Sequence, residues 1–196
     1  TNNSVVGGVI ELYISSNDPH NSSTWLVIDG IVVEHWTGAG NFTYVWDTTG
    51  LPDGVYEVVV YANDTVGNTN SFCIILIVDN TAPMIIIDFP MSGAILNASI
   101  INITVNASDA NLMRAELYIN GSLVDSWSES GQHVYVWNAS RCGSGFYLVE
   151  IIAYDMAGNT RYLQITILVD LDPPEIIVES PKAGETIREK DVEVRG

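Results

Sequence analysis

The stretch Tyr44–Thr69, YVWDTTGLPDGVYEVVVYANDTVGNT, returns 91 residues later as Tyr135–Thr160, YVWNASRCGSGFYLVEIIAYDMAGNT, with no gap. The echo continues both ways at the same offset. Trp36 pairs with Trp127, Asp29-Gly30 with Asn120-Gly121 and Asp18 with Asp109. Further on, Val78-Asp79 pairs with Val169-Asp170, Pro83 with Pro174, Pro90 with Pro181 and Gly93 with Gly184. One gapless register over this length marks duplicated structural units. It divides the 196 residues into units 1–79, 80–170 and 171–196. Residue 1 falls opposite Ser92, so the first unit has no counterpart of NTAPMIIIDFPM (80–91). Residues 171–196 open a third unit, as expected of a segment of a longer tandem array.

Each unit reads as β structure. No long stretch carries a 3.6-residue apolar period. IINITVNA alternates, with Ile101, Ile103, Val105 and Ala107 on one face. Ala115, Leu117 and Ile119 alternate next and end in Asn120-Gly121, a tight-hairpin signal. Strands are expected at 84–89, 100–107, 113–120, 122–127, 133–137, 146–154 and 161–169, and 91 residues earlier in the first unit. Seven short strands in about 90 residues are the pattern of an immunoglobulin-like sandwich. The predicted fold is all-β: two tandem immunoglobulin-like β-sandwiches plus the start of a third repeat.

The run W-[DN]…G-x-Y-x-V…A-x-D-x-x-G-N, followed by V-D-x-x-x-P-x-I and P-x-x-G, resembles the tandem immunoglobulin-like repeats of prokaryotic cell-surface proteins. Archaeal S-layer, filament and large secreted protease chains carry such repeats. The resemblance covers nearly the whole sequence. It implies spacers and struts: a structural segment of a surface filament or S-layer-type assembly. An adhesin module binding a ligand at one pole, or an accessory stalk of a secreted protease, are the alternatives it leaves open.

The 24 acidic and 7 basic residues give a net charge of −17. That excludes nucleic acid and anionic membranes as partners, since both need basic surface. No apolar run is long enough to span a membrane. The acceptor pattern N-x-[ST] occurs nine times, at Asn2, Asn21, Asn41, Asn63, Asn97, Asn102, Asn106, Asn120 and Asn138. This density points to a glycosylated, extracellular chain.

Phe72–Asp79, FCIILIVD, lacks the polar alternation of a solvated strand. Phe72, Ile74, Leu76 and Val78 match Leu163, Ile165, Ile167 and Val169 and are expected to face inward. The outward set is then Cys73, Ile75 and Ile77. Outward Val59 and Tyr61 replace Glu150 and Ile152, and Trp25 and Val27 replace Glu116 and Tyr118. These seven residues predict an apolar contact surface for self-association or for neighbouring surface-protein subunits. Because the first unit lacks its leading strand, Pro174–Ser180 is a candidate strand donor to another copy.

Asp109, Asp155 and Asn159 belong to loops expected to face the linker Asp79-Asn80. Oxygen ligands at a domain junction suit Ca²⁺. The same residues also suit turn capping. Cys73 and Cys142 hold non-equivalent positions and are expected to remain unpaired with each other. His20, His35 and His133 fall at unmatched positions without a shared acid, and Arg141–Gly145 lacks the first glycine of a nucleophile elbow. No catalytic role is assigned.

Overall fold

The computed structural model describes residues 2–178 and Gly184. The first unit contains β1 (Ser4–Val6), β2 (Val9–Ser16), β3 (Asn21–Ile28), β4 (Ile31–Thr37), β5 (Gly40–Asp47), β6 (Gly54–Asp64) and β7 (Thr69–Val78). The second contains β8 (Met84–Phe89), β9 (Ile95–Leu96), β10 (Ile100–Ser108), β11 (Leu112–Ile119), β12 (Ser122–Trp127), β13 (Gly131–Asn138), β14 (Gly145–Asp155) and β15 (Thr160–Val169). The expected strands lie within two residues of these. Residues 171–178 carry no strand. Apart from Gly184, the rest of the third unit, including Glu179 and Ser180 of the candidate donor, lies outside the described residues.

Each unit is a two-sheet sandwich. In the second, sheet β13-β10-β8 faces sheet β12-β11-β14-β15-β9. In the first, β2-β5 faces β1-β7-β6-β3-β4. Among the described residues the sheets differ in β8, which pairs antiparallel with β10 and has no counterpart beside β2.

The duplication reaches side-chain detail. Asp29 and Asn120 both take φ 48°, and Gly30 and Gly121 follow at 77° and 74°. Two successive left-handed residues make the hairpin turn that matches strand twist. The Asp29 carboxylate accepts from the Glu57 amide, and the Asn120 side-chain oxygen accepts from the Leu148 amide, both at 2.8 Å. Tyr56 and Tyr147 each donate a hydroxyl hydrogen bond four residues back, to the carbonyls of Pro52 and Gly143. This is the tyrosine corner of immunoglobulin-like sandwiches. Trp46 and Trp137 stand edge-on against these tyrosines, at interplanar angles of 71° and 70°.

The alternating residues fill the cores as expected. Ile101, Ile103, Val105 and Ala107 are all buried, with Leu117, Ile151, Ile167 and Val169 opposite. Burial of each such large side chain contributes about 1.5–3 kcal/mol. The first core is thinner: Leu26, Ile28, Val58, Leu76 and Val78 are buried, but Ile10, Leu12, Val60 and Ile74 only partly. Phe72 does not face a closed core and is 70% exposed. In the second unit that side of the sandwich is closed by β8.

Candidate functional site: a stitched junction and an apolar sheet face

Asp79, Asn80 and Thr81 join the two sandwiches and are bonded to both. Toward the first, the Asp79 amide donates to the Val6 carbonyl at 2.9 Å. The Asn80 side-chain amide donates to the carbonyls of Thr48 (2.8 Å) and Leu51 (3.3 Å). Its oxygen accepts from the Gly8 amide at 3.1 Å. The Asp53 carboxylate accepts from the Asn80 amide at 2.7 Å and from the Thr81 hydroxyl. Toward the second, Asn159 Nδ2 donates to the Asp79 carbonyl (3.0 Å) and the Thr81 carbonyl (3.5 Å). Asn111 Nδ2 donates to Asp79 Oδ2 at 2.7 Å. Gly7 sits beneath this linker, where an added Cβ would lie 2.5 Å from the Asp79 carbonyl oxygen and 3.3 Å from Ala157 Cβ.

The D-x-x-G-N loops supply the clamp. Asp155 accepts the Asn159 amide on one oxygen and the Asn159 side chain on the other, both at 2.8 Å. Gly158 turns the loop at φ 94°. Asp64 and Asn68 repeat the brace in the first unit, and Asp64 also caps Val66. Asp79 caps Thr81 and Asp109 caps Asn111. The structure thus shows the capping bonds. It also brings Asp79, Asp109 and Asp155 together, with one carboxylate oxygen of each within 4.8 Å of the others. Asp79 and Asp155 are buried. Burial, and then the charges of Asp79, Asp155 and Asp53, hold the Asp109 carboxyl above its usual range against the Asn111 amide bond. The hydroxyl of Thr81, and then the Asn80 amide, hold Asp53 below it. Asn111, Asp53 and Gly7 were not singled out from sequence. Their roles depend on which loops meet. The repeat partner of Asp53, Ser144, accepts from the Leu171 amide at the equivalent place, a correspondence that only the folded chain reveals.

The outer face of β1-β7-β6-β3-β4 carries the predicted apolar set. Trp25 and Tyr61 are opposed across β3 and β6, and so are Val27 and Val59. The Trp25 and Tyr61 rings stack at 5.6 Å and 13°. Val27 and Val59 are only 9% and 7% exposed, outside the main core, so this face partly covers itself. Ile75 and Ile77 are half-buried. Cys73 is exposed, with its sulfur 3.6 Å from a Glu57 carboxylate oxygen. The second unit places Glu116, Glu150 and Gln164 at matching positions.

The acceptor asparagines divide. Asn41, Asn97 and Asn102 are exposed. Asn2 is exposed and binds the edge of β7, accepting from the Ile75 amide, so it lies beside the apolar face. Asn120 and Asn138 are exposed but brace their own turns. Asn63 and Asn106 are half-buried, with their carbonyl oxygens enclosed. Asn21 donates to Ser16, Thr24 and Gly38. A glycan on that nitrogen would leave a single N–H for these three acceptors, so in this structure Asn21 braces the β2–β3 turn from within. Cys142 is exposed and free. The histidines are scattered: His20 precedes β3, His35 lies on β4, and His133 stacks on Trp127 at 4.6 Å.

The fold and junction define a protein of tandem immunoglobulin-like β-sandwiches. A family model, the bacterial Ig-like domain (group 3), matches residues 40–118, from β5 through the junction into β11. No curated protein matches the sequence. Among solved structures, the fibronectin(III)-like modules of Clostridium thermocellum CbhA share 20% identity at a TM-score of 0.51, covering 86% of this chain and 90% of theirs. At that identity the likeness is one of fold. A tetra-tandem repeat from the extending region of a large adhesion protein is 18% identical at a TM-score of 0.42, covering 84% of this chain and 50% of that one. A chimeric titin Z1Z2 tandem is 12% identical at 0.34, covering 88% and 96%.

Proposed function

We propose that the chain is a structural, glycosylated repeat segment of an extracellular cell-surface assembly, a filament or S-layer-type array. The observation that carries this reading is the linker. Asp79, Asn80 and Thr81 are each bonded into a sandwich, so the junction resists bending as a strut must. Two further features support it. Exposed aromatics such as Tyr13, Phe72, Phe146 and Tyr162 lie on strands rather than in polar loops, where an adhesin would display them. The outer face of the first sandwich offers Ile75, Ile77 and Cys73 beside the Trp25–Tyr61 stack, a lateral surface for a neighbouring subunit.

The test is the assembly state of the Ile75→Asp/Ile77→Asp variant beside wild type. Wild type is expected to self-associate laterally and the variant to lose that association while keeping its β circular dichroism. Unchanged association with an unchanged fold would remove the lateral contact from this reading. Small-angle scattering showing freely hinged sandwiches would remove the strut.

A further inference from the structure

The acceptor asparagines differ in what their side-chain nitrogen already does. Asn21 Nδ2 donates to Ser16 Oγ at 2.9 Å, to Thr24 Oγ1 at 3.1 Å and to the Gly38 carbonyl at 2.8 Å. Thr24 is fully buried, so that nitrogen is held against the core. Asn41 and Asn102 are exposed, and among the described residues no side-chain hydrogen bond engages either. Asn41 lies on β5 opposite Ser15, and Asn102 on β10 opposite Val136. Their neighbours Phe42, Ile101 and Ile103 pack into the cores, so strand alternation turns both asparagines to the solvent side. In each unit they stand on the smaller sheet, which in the first unit lies behind the one bearing Trp25 and Tyr61.

Asn102 sits within an apolar strip. Val136 is directly across from it, Val134 is across from Thr104, and Ile100 is two residues back along β10. These three are 61%, 53% and 52% exposed. No missing neighbour explains that. Both β8 and β13 are in place beside β10. The first-unit counterparts of Ile100 and Val136, Val9 and Val45, are 62% and 58% exposed although the second unit follows them. Opposed side chains on a sheet lie about 4.5–5.5 Å apart at Cβ and diagonal ones about 7–8 Å. The first sugars of a glycan on Asn102 would therefore reach the whole strip. A glycan is bulky and solubilising, and the C–H faces of its rings are apolar.

We propose that Asn102 and Asn41 carry glycans, that Asn21 does not, and that the Asn102 glycan covers Ile100, Val134 and Val136. This inference rests on the glycosylated, extracellular reading above and deepens it by naming the acceptors used and the work of the sugar. In the transfer, Nδ2 bonds to C1 of a sugar held on a lipid-linked phosphate donor. The bond from C1 to the phosphate oxygen breaks, that oxygen leaves with the electron pair, and Nδ2 gives up one proton to a base of the transferase. The N–H that remains is free at Asn102. At Asn21 it would have to serve three acceptors. The Asn41 sugar stands on the sheet that faces away from Trp25 and Tyr61, so it leaves the lateral contact open.

Mass spectrometry of proteolytic peptides from the protein secreted by its own cells tests the assignment. The peptides holding Asn102 and Asn41 are expected to carry added sugar, and the peptide holding Asn21 its unmodified mass. Asn102→Gln and, separately, Thr104→Val should each abolish the sugar at Asn102. Both substitutions lie on the outer face and nearly keep side-chain shape, so β circular dichroism is expected to persist. Hydroxyl-radical footprinting then reads the cover: labelling of Val134 and Val136 should rise in both variants relative to the wild-type glycoprotein. An unmodified Asn102 or Asn41, or sugar on Asn21, overturns the assignment. Sugar on Asn102 with unchanged labelling in both variants overturns the cover. The broader reading fails separately. It loses its glycosylated part only if none of the nine acceptor asparagines carries sugar, whereas a bare Asn102 beside other modified acceptors sinks this inference alone.

Discussion

The side-chain amide of Asn159 lies 3.0 Å from the backbone carbonyl of Asp79, a bond that crosses from the second sandwich to the linker. Its repeat partner Asn68 makes the same brace to its own aspartate, Asp64. The pair is therefore an internal control. Asn68→Ala removes a loop brace, whereas Asn159→Ala removes that brace and the linker bonds to Asp79 and Thr81. Both should destabilise, with Asn159→Ala costing about 1–2 kcal/mol more, the size of a hydrogen bond to a part-buried carbonyl. Denaturant melts of the two variants check this. Equal losses would mean that the linker bonds contribute nothing.

Gly7 is set by space rather than by backbone angle. A methyl group there meets the Asp79 carbonyl oxygen at 2.5 Å, and a backbone atom cannot swing aside as a side-chain tip can. Gly7→Ala is expected to cost about 1–3 kcal/mol as the junction shifts. It should also broaden the distribution of angles between sandwiches in small-angle scattering. The repeat counterpart, Ala98, already carries that methyl group in an exposed position. Ala98→Gly is therefore expected to leave the junction unchanged.

These two residues also show where the sequence stops being legible. The fold was readable because the 91-residue register aligned turns, tyrosines and core residues at once. The predicted strands follow from that register. The gathering of Asp79, Asp109 and Asp155 followed from placing loops at one pole. Gly7 and Asn111 were invisible because a glycine's steric necessity and an amide's target depend on what the neighbouring unit brings near. Phe72 was read as inward from its alternation, which gives a side chain's direction but not whether anything covers it. Asn21 matches the acceptor pattern, yet the pattern cannot show that its amide is already used three times.

Two carboxylates beside the linker should respond to pH with opposite signs. Asp109 is raised above its usual range, chiefly by burial, so its ionised form is disfavoured in the folded protein. Its penalty is present above the raised value and lifts as pH falls toward the unfolded one. Asp53 is depressed, first by the Thr81 hydroxyl, so its contribution holds above the unfolded value and is lost as pH falls through the folded one. Asp109→Asn is thus expected to raise Tm at neutral pH, with the gain shrinking in acid. Asp53→Asn is expected to lower Tm at neutral pH, and that loss should also shrink in acid. Melts between pH 3 and 7 compare them. Repeating the neutral melt with and without Ca²⁺ tests the cation expected from the sequence, since a bound ion would raise Tm in wild type and less in Asp109→Asn.

Trp25 separates two explanations of the apolar face. Val27 and Val59 are dry on the solvent side of the sheet, and the Trp25–Tyr61 stack is the large apolar cover next to them. If that cover acts within one molecule, Trp25→Ala exposes both valines and loses the stack whether or not another copy is present. The expected cost is about 1–3 kcal/mol, below that of a fully buried tryptophan because Trp25 is itself half-exposed. The loss should be the same in dilute and concentrated samples. A loss that grows with concentration would instead assign the cover to a neighbouring molecule and make Trp25 part of the lateral contact. Denaturation of wild type and Trp25→Ala at two concentrations a hundredfold apart decides between them.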